Sequence, residues 1–192
     1  MVLSFVRQSL AGLRMLVVLT VVVGLAYPLA VFGVGRLVPD RADGSMLTVD
    51  GSVVGSTLIG QSFDGDEWFL PRPSVAGDGY DPLASGASNF GPENPDLLAT
   101  VEERTAQVAE REDVDPAGVP ADAVTASGSG LDPDISPEYA ALQVPRVARV
   151  RGLDEPTVER LVADATTERE LGFLGAPRVN VLRLNAALAM LD

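Results

Sequence analysis

The run Met15–Gly35, MLVVLTVVVGLAYPLAVFGVG, constrains this chain more than any other stretch. It carries no charge and is bounded by Arg14 and Arg36. At about 1.5 Å rise per residue, a helix of that length spans roughly 30 Å, the thickness of a bilayer's hydrocarbon core. Exposed to water, such a helix would be insoluble. A core helix of a soluble protein is normally shorter and shows a polar stripe. The run reads as one transmembrane helix over residues 15–37, between a short tail, 1–14, and a soluble domain, 38–192. A cleaved secretory signal is the competing reading. Signal cores run about 7–15 residues and end in small residues. This run is longer and carries Tyr27, Pro28 and Phe32 near its far end. Pro28 removes a backbone hydrogen bond and predicts a kink, which lipid tolerates when neighbouring helices satisfy the freed carbonyl. Gly24, Ala26, Gly33 and Gly35 allow close backbone approach. Both features point to packing against other helices.

Charge is unevenly placed. The formal net charge is -13, yet up to Arg36 the only charged side chains are Arg7, Arg14 and Arg36. Basic residues on the two flanks of the helix nearly balance, so the positive-inside rule decides weakly. The short, purely basic amino-terminal tail favours the cytoplasm, leaving the acidic domain outside. The chain has no Lys, His or Cys. Disulfides, thiol chemistry, histidine bases and histidine metal sites are thereby excluded. An acidic surface argues against nucleic acid as a partner. Dense carboxylates without lysine resemble adaptation to high salt.

Beyond the helix, Val38–Gly51 reads as a polar exit with turn signals at Pro39, Gly44 and Asp50-Gly51. Val53–Phe63 predicts one or two short strands broken by Gly55 and Gly60, and Glu67–Leu70 another, ended by Pro71. Trp68 is expected in the core. Arg72–Pro95 is a long irregular segment rich in Pro, Gly, Ser and Asn; such a loop is either functional or disordered. Tyr80, Leu83 and Phe90 mark points that pin it down. Asn94-Pro95 predicts a helix start, cap then N1 proline, with Leu97, Leu98, Val101, Thr105 and Val108 at helical spacing. Ala121–Thr125 reads as a short strand or extended run. Ala126–Pro137, ASGSGLDPDISP, is a second glycine-rich loop. Helices then follow from Ser136-Pro137, from Asp154-Glu155-Pro156 and over Val179–Leu191, with Pro145 expected to kink or split the first. The fold class is α+β, helix-rich in its second half.

The loops offer little catalytic chemistry. Gly128-Ser129-Gly130 lacks the lysine that a phosphate-binding loop requires. Ser127 and Ser129 lack a His or Lys base. Asp64 and Asp66, or Asp132 and Asp134, are spaced to hold a hard cation such as Ca²⁺, but no full calcium loop follows either pair. Solvated carboxylates are the default in so acidic a chain. No catalytic residue and no metal site are assigned.

Several long blocks resemble one family. They are Gly55–Phe63, Trp68–Ser74, Tyr80–Pro95, Ala121–Leu153 and Leu171–Asn185, with Tyr27-Pro28 in the helix. In that order and spacing they look like the C subunit of the high-affinity Kdp potassium-transporting ATPase. The family usually has histidine where Asp134 stands, a His-Thr-Glu-Gly run at Ala165–Glu168, and Glu in place of Ala176. Their replacement here favours a structural role for both segments. The resemblance implies a non-catalytic subunit in the plasma membrane. Its partners would be a channel-like subunit that selects potassium, a P-type ATPase subunit and a small single-span subunit. It implies a chaperone of catalysis that raises the ATPase subunit's affinity for ATP. ATP would act at the level of the complex, with no cofactor held by this chain, and potassium would be the transported ion. Partner-contact candidates are Tyr27 and Pro28 in the helix. In the first loop they are Tyr80, Asp81, Pro82, Ser88, Asn89, Gly91, Pro92 and Asn94. In the second they are Ser127, Gly128, Ser129, Gly130, Asp132 and Ser136. Fastening their own domain is the alternative role for both loops. A solitary membrane-anchored ligand- or cation-binding domain, an anchored enzyme and a cell-surface scaffold are the competing classes.

Overall fold

The computed structural model describes residues 2–191. The chain divides into two compact units, Met1–Ser45 and Met46–Asp192. In the first, helix runs without interruption from Val2 to Gly35, as α1 (Val2–Val21), a π turn (Val22–Ala26) and α2 (Tyr27–Gly35). The helix begins well before Met15, so the tail is itself helical over residues 2–14. The π turn explains how Pro28 is accommodated. Proline has no N–H, and its ring collides with the carbonyl four residues back, here that of Gly24. Widening the turn lets the Tyr27 N–H reach the Val22 carbonyl, five residues back, and the helix continues. After it, α3 (Pro39–Ala42) is a single turn, and an exposed Arg36–Asp43 pair at 3.3 Å lies alongside.

The second unit opens on a hairpin whose Asp50-Gly51 turn and part of whose second strand the sequence indicates, but whose first strand it does not. β1 (Met46–Val49) pairs antiparallel with β2 (Ser52–Ser56). Asp50 and Gly51 both adopt positive φ, 49° and 78°, the geometry of a tight two-residue hairpin turn. Leu47 pairs with Gly55 and Thr48 with Val53, so Val54 forms a bulge. Residues 57–63 form no strand.

Glu67–Leu70 is not a strand either. Among the described residues no neighbouring backbone pairs with it; side chains take that role, as described below. Trp68 sits at the rim of the core, half-buried, tilted against Phe63 at 6.2 Å, with the Arg151 guanidinium 4.3 Å over its ring.

The core is helical. α4 (Pro95–Glu112) is capped by Asn94, whose Oδ1 accepts from Asp96 N–H and Leu97 N–H, and it stops at Asp113 in the left-handed region. Its inward face is Val101, Val108, Ala109 and Glu112; Leu98 is exposed, against expectation. Ala121–Val124 is one helical turn, α5, rather than an extended run. α6 (Pro137–Arg151) is capped by Ser136 and closed by Gly152 at φ 67°. It is not split at Pro145. Pro145 and Ala141, whose carbonyl loses its partner, both lie on the exposed face, where water replaces the bond. α7 (Glu155–Ala165) starts at the Asp154 cap. The last helix, α8, covers Val181–Ala189, because Val179 belongs to a strand.

A small antiparallel sheet ties these helices together, in the order β3 (Asp134–Ile135), β5 (Arg178–Asn180), β4 (Thr166–Thr167). Val179 in the central strand faces Ile135 on one side and Thr166 on the other, and is fully buried. Phe69, Val147, Val158, Leu184 and Leu188 complete the centre of the core.

Candidate functional site

The two loops are built as one structure. Ser74 Oγ donates to the Gly130 carbonyl at 2.6 Å and accepts from the Ala76 and Tyr80 N–H groups. Ser85 Oγ and the Gly86 N–H both donate to the Ser129 carbonyl, at 2.9 and 2.8 Å. The Gly60 N–H donates to the Leu131 carbonyl at 2.8 Å. Arg72 spans the joint: Nη1 reaches Asp132 Oδ2 at 3.0 Å and Nη2 the Thr125 carbonyl at 3.3 Å. The Tyr80 hydroxyl donates to the Arg72 carbonyl. Burial pushes the Tyr80 hydroxyl far above the ordinary tyrosine range, so it stays protonated and remains a donor. At Gly130, with φ 68°, an added Cβ would lie 2.9 Å from Ala76 and from the Gly86 carbonyl. Only glycine permits that approach.

The structure thus brings Tyr80, Ser129, Gly130 and Asp132 together, with Ser127 beside them, its Oγ 3.5 Å from that of Ser129. Asp81 stays local, accepting from Leu83 N–H. Ser136 caps α6 and is held by Asp122, which takes both its hydroxyl and its N–H. Asn94 caps α4. Pro82, Ser88, Asn89, Gly91 and Pro92 are exposed and contribute nothing to the joint; Gly128 is exposed as well. Leu83, within that outer run, is 95% exposed. Tyr27 and Pro28 lie on the exposed surface of the apolar helix.

Three of the four carboxylates in the acidic pairs face other partners. Asp132 faces Arg72, and its Oδ1 accepts from the Asp134 N–H. Asp134 meets Arg178 at 3.1 Å and the Asn180 amide at 3.1 Å. Burial pushes its carboxyl above the usual range even so. Asp66 lies 3.7 Å from Arg111. Among the described residues, no three acidic side chains converge as metal ligands would.

A groove of 580 Å³ lies between α4 and the 66–73 segment, with Arg104, Gln107 and Tyr139 among its walls. Burial pushes the Tyr139 hydroxyl up to about 12, so it does not serve as a base near neutrality.

Sequence reasoning missed the residues that hold the 66–70 segment. Asn185 Oδ1 accepts from the Phe69 N–H and its Nδ2 donates to the Phe69 carbonyl, both at 2.9 Å. Gln143 does the same for Leu70, at 2.7 and 3.1 Å. Two buried amides replace a neighbouring strand. Arg146, fully buried, donates to both Glu112 oxygens at 3.0 Å, to the Trp68 carbonyl at 3.0 Å and to the Asp66 carbonyl. Their only signal is position. Gln143 and Arg146 flank Val144 and Val147, and Asn185 lies between Leu184 and Leu188. A polar side chain on an apolar stripe needs a buried partner.

Fold and site define a class: a chain with one candidate membrane span followed by an α+β domain whose loop residues mainly bind one another. The chain belongs to the KdpC family. The family model, K+-transporting ATPase, c chain, matches residues 9–190. A potassium-transporting ATPase KdpC subunit of Kineococcus radiotolerans is 62% identical over 96% of this chain and 94% of its own length. That of Beijerinckia indica is 54% identical over 90% of this chain and 88% of the relative. That of Mycobacterium tuberculosis is 55% identical over 95% and 97%.

Proposed function

We propose that this chain is an accessory subunit of an ATP-driven potassium uptake pump. The observation that carries the reading is the match to proteins named potassium-transporting ATPase KdpC subunit across nearly the whole chain, at up to 62% identity. The proposed partners are a channel-like potassium-selecting subunit, a P-type ATPase subunit and a small single-span subunit. The apolar helix spans the plasma membrane, with the amino terminus in the cytoplasm and the acidic domain outside. The chain stabilises the complex and raises the ATPase subunit's affinity for ATP through assembly, because an external domain has no access to cytoplasmic nucleotide. The fused loop pair supports a division of labour. Tyr80, Ser85, Gly86, Ser129, Gly130 and Asp132 fasten the domain, while the exposed Pro82 and Leu83 and the exposed run from Ser88 to Pro92 are left for partners.

Detergent pull-down of the tagged chain from its native membrane tests this. Co-purification of a P-type ATPase and a channel-like subunit is the expected result. Recovery of the chain alone, folded, would overturn it and return the solitary anchored binding domain. For the catalytic role, the measurement is the ATP dependence of hydrolysis by the pump with and without this subunit. A higher KM for ATP in its absence is expected.

A further inference from the structure

The 580 Å³ groove between α4 and residues 66–73 has the size and make-up of a small-molecule site. Such sites run to about 300–1,000 Å³ and are mostly apolar, with a few placed polar groups. Leu70, Pro71 and Pro73 line one side, and Val108 and Ala123 continue the apolar surface. Arg104, Val108 and Arg111 recur at four and three residues, so one face of α4 forms the opposite wall.

Tyr139 supplies the groove with a polar group that the protein leaves unused. The residue is 3% exposed, and its backbone N–H donates to the Ser136 cap. Its hydroxyl has no hydrogen-bond partner among the described residues. Native structures keep few buried polar groups in that condition, because the lost bond to water is costly. The hydroxyl is not sealed off, since among the described residues Arg72 Nε alone is both sealed and unpartnered. Its opening is the groove, whose wall Tyr139 helps to form. Burial keeps the hydroxyl protonated, so it offers a proton to an acceptor.

Arg104 sets the charge of that acceptor. It is half-buried, and its Nη1 donates to the Val124 carbonyl at 3.2 Å. Nε and Nη2, the side-on edge that grips a carboxylate with two bonds, have no partner among the described residues. The far end of the groove is different. Arg111 is balanced there by Asp66 at 3.7 Å, and Glu110 adds a negative charge. Glu110 lies six residues beyond Arg104, about 9 Å along the helix. An anionic group is therefore drawn to the Arg104 end and repelled from the other.

We infer that this groove binds a small organic carboxylate, its oxygens on Arg104 and the Tyr139 hydroxyl and its apolar body against Leu70, Pro71 and Pro73. The site lies wholly within the unit Met46–Asp192, so it stands whether or not the chain assembles with partners.

The chain has three tyrosines, Tyr27, Tyr80 and Tyr139, so ring-labelled tyrosine gives three NMR signals. The full chain in phosphatidylcholine nanodiscs is titrated with 3-phenylpropionate. 3-Phenylpropanol and 3-phenylpropylamine keep the apolar body and change the head group. The Tyr139 signal, identified by its loss in Tyr139→Phe, is expected to shift saturably with a Kd of about 1–10 mM, while Tyr27 and Tyr80 stay in place. Binding read from the probe's own resonances is expected to be about ten-fold weaker for the alcohol and the amine. It is expected to weaken about ten-fold in Arg104→Gln and about three- to ten-fold in Tyr139→Phe. Equal affinity for the three probes, or full affinity in Arg104→Gln, would overturn the inference. So would the absence of saturable binding, or a Tyr139 shift no larger than that of Tyr27, which marks partition into lipid. If Tyr139→Phe does not fold, the Arg104→Gln comparison decides alone.

Discussion

At the residue scale, the domain depends on a few polar side chains in apolar surroundings. Asn185 and Gln143 each satisfy both backbone groups of one residue, Phe69 and Leu70. A buried N–H or carbonyl left without a partner costs about 1–3 kcal/mol. Asn185→Ala strands both groups of Phe69, and is expected to lower stability by about 2–4 kcal/mol in urea denaturation. A loss below about 0.5 kcal/mol would mean that water replaces the amide. Asp134 carries a pH dependence. Burial, outweighing the Asn180 hydrogen bond, raises its carboxyl above the ordinary 3.8. The folded state then holds the proton more tightly than the unfolded chain does. Its contribution is full below 3.8 and is lost as pH rises through the raised folded value. Asp134→Asn removes that decline. Denaturation at about pH 4 and about pH 6 is expected to show a smaller fall for the variant. An unchanged fall would assign the effect to Glu112, whose carboxyl burial also raises.

At the element scale, the loops act as parts of one element, although about forty residues separate Ser85 from Ser129. Gly130 is where they approach most closely. Gly130→Ala forces a Cβ to 2.9 Å from Ala76 and from the Gly86 carbonyl at a left-handed φ. A cost of about 1–3 kcal/mol is expected, with faster proteolysis between Tyr80 and Pro95. Cleavage at the parental rate would show that the joint yields without opening. Helix starts were legible, because Asn94, Ser136 and Asp154 each precede an N1 or N2 proline and each side chain accepts from the first turn. Strands β3, β4 and β5 were not. They are two or three residues long and exist only through pairing across the fold, which leaves no periodicity to read.

At the scale of the whole molecule, core and anchor separate. Among the described residues, every fully buried apolar side chain lies at Phe69 or beyond. The unit Met46–Asp192 produced alone is expected to fold and to unfold in one transition. A molten product would show that the anchor is needed for folding. The first 45 residues carry four Arg and two acids, so ten Arg face twenty-five acids in the rest, a net charge of -15. Such self-repulsion weakens as salt shortens the screening length. The midpoint of thermal unfolding of the isolated domain is expected to rise between about 0.05 and about 0.5 M KCl. A midpoint insensitive to salt would mean that the carboxylates are already compensated.

The sequence by itself determined the apolar helix, the α+β class, the helix caps and the family, because each is written in local composition, short-range spacing or an extended run of matching blocks. The packing of the domain was decided elsewhere. Which loop residues fasten to one another, how Glu67–Leu70 is held without a strand, and where Pro145 is harmless all depend on partners distant in the chain. Arg72 with Asp132, Phe69 with Asn185 and Arg146 with Glu112 are separated by 60, 116 and 34 positions. A hydrogen bond or ion pair over such distances leaves no local signal, since each of the polar groups alone is equally at home in water. Only the tertiary structure removes the water and makes each partner necessary.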